Sequence, residues 1–171
     1  EQMHYAANIA GMAFSNAFLG ICHSLAHKLG ARFHIPHGIA NAYCISQVIR
    51  FNGSEKPVKQ TAFAQYKYPF AGERYAQISD FMGFGGRNLK EKIDNLIAKV
   101  ERLKTSIGIA KSIGAETRNN FSEEEFRSSV DGVAERAFDD QCTGSNPRYP
   151  LIPELKQLLL YAYEGNVDFD I

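Results

Sequence analysis

The run Cys22-His23-Ser24-Leu25-Ala26-His27-Lys28-Leu29-Gly30-Ala31-Arg32-Phe33-His34-Ile35-Pro36-His37-Gly38 holds four of the five histidines of this 171-residue chain. His23 and His27 are four residues apart, so on a helix their rings share one face. Gly30 is suited to ending that helix, and Pro36 to opening another. A sharp reversal between them would carry His37 back toward His23. Taken singly, a histidine in apolar helical context is more often a hydrogen-bonded core residue than a ligand. Four in one loop-bounded unit favour a metal site instead, because neutral imidazoles suit Fe, Zn, Cu or Ni. No carboxylate lies between Glu1 and Glu55, so further ligands must come from elsewhere.

Around this unit the chain reads as helices joined by turns. Small and apolar residues keep helical spacing from about Tyr5 to Leu29, with Gly11 and Gly20 expected to admit a close neighbouring helix and the whole stretch expected to be tightly buried. A second apolar helix is expected from His37 to Phe51, stopped by Asn52-Gly53. Pro57 to Pro69 reads as loop around a short helix, and Tyr75 to Met82 as a short helix before the turn Gly83-Phe84-Gly85-Gly86. From Leu89 to Ile107, the residues Leu89, Ile93, Leu96, Ile97, Val100 and Leu103 form an apolar stripe with charges on the opposite face. Ser122-Glu123-Glu124-Glu125 is a capping box opening a helix through about Phe138. The last helix is expected from near Pro153 to near Gly165. No alternating strand pattern competes, so the expected class is all-α.

Composition narrows the functional classes. Nineteen basic and nineteen acidic residues balance, with no polybasic run, so neither nucleic acid nor an anionic membrane is indicated as a partner. No run of eighteen apolar residues crosses a bilayer, and no signal peptide is recognisable. Cys22, Cys44 and Cys142 are odd in number and widely spaced, which favours a reducing, cytoplasmic setting over a disulfide framework. Cys22 and Cys44 read as core thiols; Cys142 lies in a polar Gly/Asn/Pro loop. His4 reads as a surface residue, and His34 lies in the connection without an assigned role.

Two stretches carry a resemblance. Gly11-Met12-Ala13-Phe14-Ser15-Asn16-Ala17-Phe18-Leu19-Gly20, followed by His-x-x-x-His-x-x-Gly and Pro-His-Gly, resembles the signature of iron-containing (group III) alcohol dehydrogenases. Ala137-Phe138-Asp139-Asp140-Gln141-Cys142-Thr143-Gly144-Ser145-Asn146-Pro147-Arg148-Tyr149-Pro150 is similar to the C-terminal end of bifunctional aldehyde-alcohol dehydrogenases. The resemblance covers nearly the whole chain. It implies that residues 1–171 form part of one helical C-terminal metal-binding domain of the dehydroquinate synthase-like, iron alcohol dehydrogenase fold. The family's N-terminal nucleotide-binding domain and an earlier helix supplying an Asp and a His to the metal have no counterpart here. The absence of a Gly-x-Gly-x-x-Gly leading from strand to helix agrees. A start at Glu1 suits an internal fragment or a processed chain.

By this resemblance His23 and His37 are metal ligands for Fe²⁺, with Zn²⁺ the alternative ion, and His27 stands beside the metal as the proton-moving catalytic residue or as an orienter of ribose or substrate. Phe14 is implied to line an apolar substrate pocket, a core role being equally open, and Cys142 to lie in a loop folding over that pocket. The implied reaction interconverts an aldehyde and a primary alcohol, acetaldehyde and ethanol, with NAD(H) held mainly by the missing domain. The residues choosing NAD over NADP lie outside this chain. Implied partners are the small alcohol or aldehyde and further copies of the chain, in a homo-oligomer or filament. The fragment alone is expected to be inactive. Two other readings stand beside this one: a helical assembly module supplying subunit contacts, and a free-standing histidine-rich metal sensor, which would leave the Cys142 to Pro150 motif unexplained.

Overall fold

The computed structural model describes residues 1–54 and 71–170. Among them the chain is all-α with no strand, as the periodicity predicts. The helices are α1 (Gln2–Ala17), α2 (Ile21–Phe33), α3 (His37–Asn52), α4 (Ala71–Phe81), α5 (Leu89–Ser106), α6 (Glu123–Phe138) and α7 (Ile152–Glu164), with a short 3-10 turn at Thr143–Ser145. The expected element between Pro57 and Pro69 lies outside the described residues.

Local chemistry accounts for most boundaries. Ser122 Oγ accepts the Glu125 N–H at 3.1 Å and starts α6, with three glutamates in the first turn against the positive end of the helix dipole. The reciprocal half of the expected box is not made, because the Glu125 carboxylate pairs with Arg32 at 3.0 Å. Asn88 caps α5 by accepting the Glu91 N–H at 2.9 Å. Gly83, Gly85 and Gly86 all take positive φ in the turn between α4 and α5, where a side chain would be strained.

Two expectations are corrected. The helix anticipated from Tyr5 to Leu29 is two helices bent by 108° at Phe18-Leu19-Gly20, and α1 buries none of its residues. Small side chains do not by themselves bring burial: a Cβ on Gly11 would meet open space, whereas one on Gly20 would come within 2.6 Å of Asn146 Oδ1, a loop side chain rather than a helix. Nor does Gly30 end α2. The helix runs to Phe33, and His34 adopts the left-handed conformation at φ 57° while donating its N–H to Gly30 O at 3.0 Å. Histidine tolerates that region better than most non-glycine residues. Pro36 then opens α3, accepting the Ala40 N–H at 2.9 Å.

The main core lies between α2, α3, α6 and α7, with Leu25, Leu29, Tyr43, Phe126, Leu155 and Leu159 buried together. A smaller cluster of Ile49, Ile93, Leu96 and Ile97 joins α3 to α5. Ile93, Leu96 and Ile97 of the predicted α5 stripe are buried, but Leu103 at its far end is exposed, and the buried position there is Lys104, paired with Glu101, which accepts from Ser46 of α3. No single described helix is long and apolar enough to cross a membrane.

Candidate metal centre

His23 and His27 occupy one face of α2, and the reversal at His34–Pro36 sets His37, the first residue of α3, against them. The ring centroids of His23 and His27 are 6.1 Å apart, those of His23 and His37 5.3 Å, and those of His27 and His37 5.4 Å, the last pair stacked. Burial, then the neighbouring His37 and His27, hold the His23 ring below its ordinary pKa of 6.5, with Asp140 opposing. Near neutral pH His23 therefore keeps an unprotonated nitrogen, the form that ligates a metal. Asn41, one turn along α3, contacts His37 Nε2 at 3.1 Å and donates to the His37 carbonyl at 3.1 Å, steadying the start of that helix.

The carboxylate missing from the histidine stretch arrives from the segment after α6. Asp140 Oδ2 lies 3.1 Å from His27 Nδ1 and 2.7 Å from Lys28 Nζ, and Asp140 Oδ1 accepts the Cys142 N–H at 3.0 Å. Burial alone would raise this carboxyl, but the donors Lys28, Cys142 and His27 outweigh it and hold it well below the usual carboxylate range. His27, Asp140 and Cys142 bring one ligand atom each within 4.8 Å of one another. They do not suit a cation, because the Lys28 ammonium already faces that carboxylate. Burial, followed by the Asp140 carboxylate, also pushes the Cys142 thiol up to about 11, so it keeps its proton.

A network of buried polar groups holds this loop against α2 and α3. Thr143 Oγ1 donates to Ala137 O at 2.6 Å, which leaves its lone pairs to accept from the Ser24 hydroxyl at 2.8 Å. Ser145 Oγ meets the Leu19 carbonyl. Asn146, 1% exposed, accepts the Ile21 N–H at 3.2 Å through Oδ1 and donates to Asn52 Oδ1 and Arg148 O at 2.7 Å. The buried Arg148 guanidinium donates to Phe51 O at 3.1 Å, pairs with Glu154 at 2.8 Å and lies 3.9 Å from the Phe51 ring centroid.

Of the residues singled out from the sequence, His23, His27 and His37 are brought together and Cys142 lies beside them. Phe14 sits on α1, 46% exposed on a helix that buries nothing, outside the cluster. His34 is exposed in the reversal and His4 is exposed on α1. Asp140, Lys28 and Asn146 acquire their places only in three dimensions; the one sequence signal for Asp140 and Asn146 is their membership of the Ala137 to Pro150 stretch. Imidazole nitrogens on two helices, brought within 5.3 to 6.1 Å of one another between ring centroids, form a donor set that fits a divalent transition metal.

An all-α bundle with three clustered imidazoles under a buried polar loop defines a histidine-cluster helical domain. Residues 1–163 match the C-terminal domain of the Fe-containing alcohol dehydrogenase family, and the chain belongs to that family. It is 56% identical over 167 residues to the bifunctional aldehyde-alcohol dehydrogenase AdhE of Escherichia coli K12, covering 96% of this chain and 18% of that protein. It is 44% identical over 170 residues to the NADPH-dependent butanol dehydrogenase of Clostridium saccharobutylicum, covering 99% of this chain and 39% of that one. Among solved structures, an iron-containing alcohol dehydrogenase from Thermococcus thioreducens superposes with a TM-score of 0.75 at 34% identity, over 95% of this chain and 36% of the other. The chain thus spans a minor part of the length of each of these relatives.

Proposed function

We propose that this chain is the metal-bearing helical part of an iron-dependent alcohol dehydrogenase that interconverts a small aldehyde and its primary alcohol, acetaldehyde and ethanol, with NAD(H). The observation that carries the proposal is the meeting of the α2 and α3 imidazoles, with centroids 5.3 to 6.1 Å apart. His23 and His37 would hold the ion, with Zn²⁺ an alternative occupant of the same nitrogens. When bound, the ion supplies Lewis acidity that eases ionisation of an alcohol and polarises a carbonyl. His27 moves the substrate proton: its Nδ1 faces Asp140, which leaves Nε2 to take or return the proton. The loop from Asp140 to Arg148 is held against α2 and α3 beside the site by Thr143 and Asn146. NAD(H) is the proposed hydride carrier, and the NADPH-dependent relative makes the choice of dinucleotide a property to measure.

Two imidazoles leave most of a metal's coordination sphere to other ligands, and no described segment of this chain cradles a dinucleotide. The isolated 171 residues are therefore expected to show no dehydrogenase turnover. The assembly-module reading leaves the imidazole cluster and its polar loop without a task and is not favoured. The test is iron per chain and turnover in the full-length protein. His23→Ala and His37→Ala should each abolish iron retention, whereas His27→Ala should keep iron and lose rate. Full iron with either ligand histidine removed would sink the assignment, as would steady turnover by the isolated chain.

A further inference from the structure

We propose that Asp140 is a positioning residue that fixes the His27 ring as its Nδ1–H tautomer, leaving the Nε2 lone pair for the substrate proton. The inference rests on the reading of His27 as the proton-moving group. Asp140 Oδ2 sits 3.1 Å from His27 Nδ1, and the Asp140 side chain is 6% exposed. A carboxylate has no proton to donate, so the short contact requires Nδ1 of the neutral ring to be the donor. The proton that a neutral imidazole carries is thereby used, and Nε2 is a bare acceptor.

The surroundings keep Asp140 in the form this task requires. Lys28 Nζ at 2.7 Å and the Cys142 N–H at 3.0 Å stabilise the anion. Lys28 and His27 are neighbours in sequence on α2, so both reach the same carboxylate from one helix turn. Asp140 itself follows the end of α6, whose Ala137 carbonyl is tied to Thr143. The arrangement follows the logic by which a buried Asp orients a catalytic His in hydrolases. The chemistry differs here, since the histidine serves a hydride-transfer reaction.

Full-length protein carrying Asp140→Asn, His27→Gln or both provides the test. The asparagine amide can donate to Nδ1 and so favour the opposite tautomer. Asp140→Asn should retain iron, leave KM within about twofold and lower kcat by about 10- to 100-fold. In the His27→Gln background the same substitution should cost less than about twofold, because Asp140 acts through His27. An undiminished loss in that background, or none in the wild-type background, overturns the positioning role while leaving His27's role intact. Wild-type kcat in His27→Gln would instead overturn the proton-carrier reading, and this inference with it. Histidine-labelled, zinc-loaded full-length protein gives a readout independent of activity and of whether Asp140→Asn folds. Nitrogen–proton correlation spectra should place the His27 proton on Nδ1, and a proton on Nε2 refutes the proposal.

Discussion

The Asn146 carboxamide accepts the Ile21 N–H at 3.2 Å although the two residues are 125 positions apart. It thereby satisfies a donor at the start of α2 that no intrahelical carbonyl can reach. The same side chain bonds Asn52 at the end of α3, so one buried amide joins the two helices that carry the histidines.

Asn146→Ala should therefore destabilise the domain by about 1 to 3 kcal/mol, the cost of leaving buried donors and acceptors unpaired. Urea unfolding followed by circular dichroism checks it. A midpoint equal to wild type at unchanged slope would show that the amide contributes nothing.

Gly20→Ala should destabilise by a similar amount, about 1 to 3 kcal/mol, through steric conflict. Its φ of −126° is open to any residue, so the cost comes from the Cβ approaching Asn146 Oδ1 to 2.6 Å. In the Asn146→Ala background the same change should be nearly neutral. Additive losses in that double variant would contradict the proposed collision.

Acid should weaken the fold through His23. Its folded pKa lies below the ordinary 6.5, chiefly from burial and then from His37 and His27. Below 6.5 the unfolded chain consequently binds more protons than the folded one, and stability falls as pH drops toward the folded value. Above that window both states are neutral and the contribution is flat. Unfolding curves at about pH 7.5 and about pH 5.5 should diverge less for His23→Gln than for wild type. Equal divergence would remove His23 as the cause.

Thiol alkylation near neutral pH should be slow in the folded protein. Burial pushes Cys22 up to about 12, and burial together with Asp140 pushes Cys142 up to about 11. Cys44 is buried and raised well above its ordinary value by burial, with Cys22 adding to it and Lys104 opposing. Thiolate is the reactive form and is scarce at all three. Mass spectrometry after iodoacetamide should find full labelling only in urea; rapid native labelling of Cys142 would show a mobile loop over the site.

What was legible in the chain was local. The Ser122 cap and the Asn52-Gly53 stop predict the start of α6 and the end of α3 because capping depends on residues within one turn. The apolar stripe of α5 predicts its buried face for the same reason. The bend at Phe18-Leu19-Gly20 was not legible, since three apolar or small residues without proline carry no breaker signal stronger than the helical period around them. Exposure of α1 was equally hidden, because composition records what a helix could bury and not whether a neighbour covers it.

The histidine spacing by itself determined that His23 and His27 share a face, and Pro36 marked where a second helix could start, while the reversal that returns His37 to them is made at the left-handed His34. The shared face and the helix start follow from the 3.6-residue period and from proline's fixed φ, which act over a few residues. Only the tertiary structure decided that Asp140 would stand against His27, 113 residues away, and that Asn146 would lock the loop beneath α2. Those pairings depend on desolvating polar groups whose partners lie in distant segments. Packing of the helices onto one core chooses those partners, and the order of residues in either stretch does not.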